Sequence, residues 1–152
     1  MLRDLDDAIR SRDDFIYETT LSSHQSIELL RHARHAGYEI GLIFVALRDV
    51  ELNIARVAQR ALQGGHNIPE PIIRRRYHTA MMRLVDALRL VDAAVIFDNS
   101  ALSHPVELLW ISHGIIGANR LNASMQLHRR IAASVGAALG LDAERVLLTG
   151  RG

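Results

Sequence analysis

Three short runs in this chain are apolar on both faces, and patterns of helical period separate them. They are Phe15-Ile16-Tyr17, residues 38–47 around Ile40-Gly41-Leu42-Ile43-Phe44-Val45, and residues 93–97. Turn-forming or polar residues bound each run. A strand that buries both faces belongs inside a layered fold, because a half-solvated strand alternates apolar and polar positions. Strands alternating with helices point to parallel pairing, so the expected class is α/β.

The helical patterns carry their own start and stop signals. Ser22 with Gln25 three residues on reads as a capping box, and Gly37 ends that helix. Asp49 caps the next, whose stripe is Val50, Ile54, Val57, Ala58 and Ala61, and Gly64-Gly65 stops it. Asn67 and Glu70 form a second capping-box pair, with Pro69 and Pro71 tolerable in a first turn. Ile73, Tyr77, Ala80, Met81, Leu84, Leu88 and Val91 make a stripe of several turns. Beyond Ser100, residues 105–116 and 122–139 read as two further helices, the second stopped by Gly140. The expected division is therefore 1–100 and a helical tail, 101–152, with no repeat or linker.

Composition excludes several chemistries. The chain of 152 residues is 49% hydrophobic, ample for a core. It has no Cys, hence no disulfide framework, thiol nucleophile or Cys-based zinc site. No apolar run reaches the ~18 residues a membrane helix needs, and the polar start, Met1-Leu2-Arg3-Asp4-Leu5-Asp6-Asp7, is unlike a signal peptide. A cytoplasmic protein is the simplest expectation. All 18 basic side chains are Arg, for which codon bias is the plain explanation. Without Lys, no G-x-x-x-x-G-K-[ST] loop can place an ammonium on the β- and γ-phosphates of a nucleotide.

Ligands of open parallel sheets bind beyond the carboxyl ends of the strands. Each expected strand ends in polar residues there: Glu18-Thr19-Thr20, Arg48-Asp49 and Asp98-Asn99-Ser100. Turns and caps also belong at strand ends, and Asp49 fits that role. For Glu18-Thr19-Thr20 both readings stay open, because the helix cap comes later, at Ser22 or Ser23. Arginine is the second concentration. Arg56 and Arg60 stand i, i+4, and Arg74, Arg75 and Arg76 follow the Gly64-Gly65-His66 turn. Two such helices joined by a Gly-rich turn could close on a phosphate, which guanidinium grips in a bidentate fork. For any single Arg a solvated helix face is the plainer account. A nucleic-acid footprint is weakened by a net charge of +1 and 5% aromatics. His32 and His35 lack a third ligand, so no metal site is expected. Gly114-Ile115-Ile116-Gly117 is too short a signal to use.

These segments, in this order, resemble the zeta toxin family of P-loop kinases over residues 5–100. The resemblance rests on Phe15-Ile16-Tyr17-Glu18-Thr19-Thr20-Leu21-Ser22 and Gly37-Tyr38-Glu39-Ile40-Gly41-Leu42-Ile43-Phe44. It continues through Arg56-Val57-Ala58-Gln59-Arg60, Gly64-Gly65-His66-Asn67-Ile68-Pro69-Glu70, Ile73-Arg74-Arg75-Arg76-Tyr77 and Asp98-Asn99-Ser100. It implies part of a three-layer P-loop-kinase-like fold with a parallel sheet. It also implies an activity: transfer of the γ-phosphate of ATP, with Mg, to UDP-N-acetylglucosamine or a related UDP-amino sugar. Glu18, Thr19 and Thr20 would line the sugar-nucleotide site. Arg60 and one of Arg74, Arg75 or Arg76 would stabilise the transferring phosphoryl group, and Gly64, Gly65 and His66 would form the lid turn.

The chain departs from that pattern at the ATP side. The phosphate loop with its Lys is absent, and none of Asp4, Asp6, Asp7, Asp13 or Asp14 matches the catalytic base. No cofactor is expected to bind the chain as it stands, so it is expected to be inactive alone. The resemblance also places a missing strand between those at Phe15 and Tyr38, leaving either direct pairing of the two or an exposed apolar edge. The alternatives are an interaction module that pairs through that edge with itself or another protein, or an Arg-rich nucleic-acid binder.

Overall fold

The computed structural model describes residues 2–149. In chain order these form α1 (Leu2–Ser11), α2 (His24–His35), β1 (Gly41–Ala46), α3 (Val50–Leu62), α4 (Glu70–Leu90) and β2 (Ala93–Asp98). There follow β3 (Val106–Ser112), β4 (Ile115–Asn119), α5 (Gln126–Leu139) and α6 (Ala143–Leu148). The class is α/β, as expected. One four-stranded sheet runs β1-β2-β3-β4. The first pair is parallel, Gly41 against Ala93 through Ala46 against Asp98, and the α3–α4 pair makes the crossover. The other two pairs are antiparallel.

The helix signals at Asp49 and Gly37 hold. Asp49 Oδ1 accepts the Leu52 N–H at 2.7 Å, and Gly37 takes φ 84°, the left-handed value that favours glycine after a helix. Two caps differ. Ser23, not Ser22, caps α2 by accepting the Ser26 N–H, while Ser22 bonds Thr20. The Asn67–Glu70 box is not formed: Pro69 is the cap of α4, without a side-chain bond. The Glu70 carboxylate is drawn instead to Arg74 Nε, 2.8 Å away.

Residues 13–20 form no strand. Three apolar residues cannot satisfy their main chain without a neighbouring strand, and Phe15 finds its contact outside the sheet, edge-on to Tyr38 at 5.7 Å. Tyr38 donates its hydroxyl to the carbonyls of Ala8 and Asp13, tying this segment to the end of α1. Ile16 is left almost fully exposed. Residues 105–116 are a hairpin rather than a helix. Its two-residue turn, His113-Gly114, has both φ values positive, 47° and 76°, the geometry that matches strand twist. Ile96 pairs with Leu109 and Phe97 with Glu107, so Leu108 is an extra residue in β3. That bulge lets the adjacent Leu108 and Leu109 both be buried.

One core crosses residue 100. Met81, Leu84 and Leu88 of α4, Leu127, Ile131 and Val135 of α5, and Val146 of α6 pack on Ala46, Ala94, Ile96, Leu109 and Ile111 of the sheet. Each such Leu or Ile stabilises the fold by roughly 1.5–3 kcal/mol through burial. A smaller cluster seats α2 beside them, joining Leu21 and Ile27 to Ala87, Leu42 and Phe44. These helices therefore share one face of the sheet. The alternate residues face the other way, and among the described residues no second helical layer covers them. Ile43 is 72% exposed and Ile115 71%, with Val45 and Trp110 also open. Of the two outcomes expected around β1, the exposed apolar edge is the one observed.

Candidate functional site

Leu47, Arg48 and Asp49 follow β1, and Asp98, Asn99 and Ser100 end β2. Because β1 and β2 are parallel and in register, these two polar segments lie side by side at the carboxyl ends, where an α/β sheet offers its ligand crevice. The main chain joins them directly, as Asn99 N–H donates to Ala46 O at 2.9 Å. Asp98 Oδ1 accepts both the N–H (2.8 Å) and the hydroxyl of Ser100. The Ser100 oxygen in turn accepts the Arg48 N–H at 2.8 Å.

Two helices supply the rest. Tyr77 of α4 donates its hydroxyl to Leu47 O at 3.0 Å and accepts from Arg130 Nη1 at 3.4 Å. The Arg130 guanidinium lies 5.5 Å from the centre of the Tyr77 ring, close enough for a cation–π contribution. Burial raises the Tyr77 pKa, with Arg130 opposing. From α5, His128 faces Asp98, with Nε2 3.7 Å from Asp98 Oδ2 and side-chain exposures of 5% and 13%. His128 Nδ1 accepts the Asn122 N–H at 2.8 Å, which leaves the ring proton on Nε2. At 3.7 Å that proton is outside hydrogen-bond range, so Nε2 is a buried donor without a partner. Such an orphan costs about 1–3 kcal/mol. Burial lowers the His128 pKa, with Asp98 opposing, and the ring is held neutral.

Asp98 Oδ1 is thus committed to Ser100, while Oδ2 faces His128 Nε2 at 3.7 Å without a hydrogen bond. The Arg48 side chain, paired with Asp49 at 3.1 Å, stays mostly exposed. The side-chain amide of Asn99 makes no hydrogen bond among the described residues. His128 and Arg130 escaped the sequence reading. The available signal was weak: a polar residue at 128 inside the apolar run of Leu127, Ile131 and Val135.

The residues singled out from sequence are not all brought together. Thr19 Oγ1 bonds Ser26 Oγ at 2.8 Å and accepts the Leu21 N–H at 3.1 Å. With the Thr20–Ser22 bond and Leu21 at φ 56°, the two threonines build the turn into α2. Glu18 is exposed, and no hydrogen bond or ion pair engages it among the described residues. On α3, Arg56 donates to Ala101 O at 3.1 Å. In the Gly64-Gly65-His66 turn, Gly65 N–H donates to Arg60 O at 2.9 Å. A Cβ on Gly65 would stand 2.8 Å from that oxygen, so only glycine fits. His66 is exposed beyond it.

The three neighbouring arginines of α4 differ in their commitments. Arg74 is held by Glu51 and Glu70, and those hydrogen bonds raise its pKa further. Arg75 and Arg76 are exposed and, like Arg60, unpaired among the described residues. His32 pairs with Asp6 across α2 and α1 at 3.6 Å. Among the described residues no group of three His, Asp or Glu could hold a metal ion, and no helix is long and apolar enough to cross a membrane.

Comparison with known proteins now bears on this geometry. An uncharacterized protein of Haemophilus influenzae is 36% identical over 70 residues, which cover 46% of this chain and 50% of that protein. The chain therefore spans about half the length of that curated relative. No solved structure matches. The Zeta toxin family matches residues 2–104, which include β1, the Gly64-Gly65-His66 turn, Arg74 to Arg76 and Asp98 to Ser100, but not His128 or Arg130. Over that stretch this α/β chain belongs to the zeta toxin family, whose fold is that of a kinase-like P-loop protein.

Proposed function

We propose that this chain is the sugar-nucleotide and lid part of a zeta-toxin-like kinase, and that alone it transfers no phosphate. The observation that carries this reading is the state of Glu18. Thr19 and Thr20 are tied into the turn before α2, which presents an uncommitted carboxylate from a fixed main chain. Such a group accepts hydrogen bonds from sugar hydroxyls. Thr19 and Thr20 then shape the UDP-N-acetylglucosamine site rather than donate to it. On the lid side, Arg60 and either Arg75 or Arg76 are free to meet a phosphoryl group, whereas Arg74 is neutralised by two carboxylates.

Mg-ATP does not fit the residues present. The chain has no Lys to place on the β- and γ-phosphates. No catalytic step is therefore assigned to it. Titration calorimetry tests both halves. UDP-N-acetylglucosamine is expected to bind weakly, with Glu18→Ala reducing affinity by about tenfold, the size of one charged hydrogen bond. Tight binding of Mg-ATP, or an unchanged affinity in Glu18→Ala, overturns the reading.

A second reading is favoured by the free edge of β1 and the exposure of Ile43 and Val45 beside it. An unpaired apolar strand edge is a template for another chain. The protein would then act as an interaction module. Light scattering decides, since a strictly monomeric folded chain excludes self-pairing.

A further inference from the structure

Among the described residues beyond the family match, His128 is the one whose side chain faces Asp98. His128 is 4% exposed, and its Nε2–H points at Asp98 Oδ2 from 3.7 Å without bonding anything else. The other Asp98 oxygen begins a relay: Oδ1 to Ser100, Ser100 Oγ to the Arg48 main chain. Arg48 lies in the loop between β1 and α3, and its side chain, paired with Asp49, is mostly exposed. The Asp98 rotamer therefore bears on where Ser100 and the Arg48 N–H stand, in a loop that Tyr77 also holds at Leu47 O. Nothing among the described residues except His128 addresses Oδ2.

We propose that His128 is a positioning residue of the strand-end site: it orients Asp98, and through Ser100 sets the main chain at Arg48. Residues beyond 104 thus complete a site whose other members lie inside the family match. The geometry makes a distinction that two substitutions can read. Glutamine places its amide N where imidazole Nε2 stood, so His128→Gln keeps the donor to Asp98 and loses the acceptor for Asn122 N–H. Asparagine places its amide where Nδ1 stood, so His128→Asn keeps the Asn122 contact and loses the donor. A role in packing alone would be disturbed about equally by both.

The test uses the whole chain, labelled with nitrogen-15, and reads the Ser100 and Arg48 amides by hydrogen exchange. His128→Asn is expected to lower their protection about tenfold, the size of one hydrogen bond, while His128→Gln stays near wild type. Equal loss in both variants, or no loss in either, overturns the proposal. Should the Asn variant fail to fold, the wild-type imidazole still decides. Its long-range proton–nitrogen spectrum must show the Nε2–H tautomer, with an Nε2 signal that moves in Asp98→Asn. The Nδ1–H tautomer, or an Nε2 signal indifferent to Asp98, refutes it. The inference does not depend on the sugar-nucleotide reading. If UDP-N-acetylglucosamine fails to bind the wild-type chain, that reading falls while the amide measurements stand.

Discussion

Arg74 on α4 grips both carboxylate oxygens of Glu51 on α3, with Nη1 to Oε1 at 2.5 Å and Nη2 to Oε2 at 3.0 Å. The same guanidinium also reaches Glu70 one turn back. Helices α3 and α4 are thus clamped on the side where Arg74 stands, leaving Arg75 and Arg76 outside the clamp.

The pair is solvent-accessible, with side-chain exposures of 39% and 67%, so salt screens its contribution. Arg74→Ala is expected to lower the melting temperature by a few degrees at low salt. The difference from wild type should shrink towards zero in concentrated sodium chloride. A deficit that salt does not change would mean that Arg74 acts through packing of its stem instead. Under the proposed function, UDP-N-acetylglucosamine affinity should stay as in wild type, since the clamped guanidinium is not offered to a ligand.

Leu84 and Ile131 are both fully buried in the core that crosses residue 100. Truncating either to Ala removes the transfer energy of the side chain and leaves a cavity, together about 2–5 kcal/mol. Urea unfolding should show losses of similar size for the two variants, each in a single transition. If Ile131→Ala instead splits the transition in two, the segment after residue 100 folds as a separate unit.

How much of this was legible in the sequence depends on the range of the interaction that decides each element. Asp49 and Gly37 act within a few residues, and both hold their expected places. The stripe from Ile73 to Leu88 also held, because a long 3.6-residue period has few alternative explanations. The Leu108–Leu109 pair failed for the opposite reason: the bulge breaks the two-residue alternation, and only pairing with β2 shows where it lies. Phe15-Ile16-Tyr17 has strand composition but no neighbour to pair with. At the candidate site, Asp98 was visible as a strand end, whereas His128 reaches it from 30 residues away by tertiary packing alone. The choice among Arg74, Arg75 and Arg76 was likewise hidden, since it depends on where α3 places Glu51.

His128 also carries a pH signature. Burial depresses its folded-state pKa below the value of about 6.5 that it has in the unfolded chain. The fold favours the neutral ring, so this stabilisation is complete above about pH 6.5 and is lost as pH falls through the folded value. The slope reaches at most about 1.4 kcal/mol per pH unit for one proton. The chain has 8 histidines, so the informative quantity is the difference between wild type and His128→Gln. Measured by urea unfolding from about pH 8 to pH 5, that difference should narrow on acidification. A difference that stays level would place the His128 pKa at its ordinary value.

Trp110, the one tryptophan of the chain, reports on the uncovered face of the sheet. Its ring lies against Gly117 of β4, where an added Cβ would stand 2.2 Å from the Trp110 Cε3 atom. Glycine is needed there because the ring occupies the space a side chain would take, an approach found where strand glycines meet bulky neighbours. The ring is already 44% exposed, so Gly117→Ala is expected to swing it outward rather than unfold the hairpin. The fluorescence maximum should move to longer wavelength. Stability should fall by about 1–3 kcal/mol, the usual cost of overpacking. Emission unchanged from wild type would show that the ring does not rest on Gly117 in solution. If the open face is instead a self-pairing surface, wild-type emission should shift with protein concentration, and Gly117→Ala should weaken that dependence by displacing a ring that is part of the face.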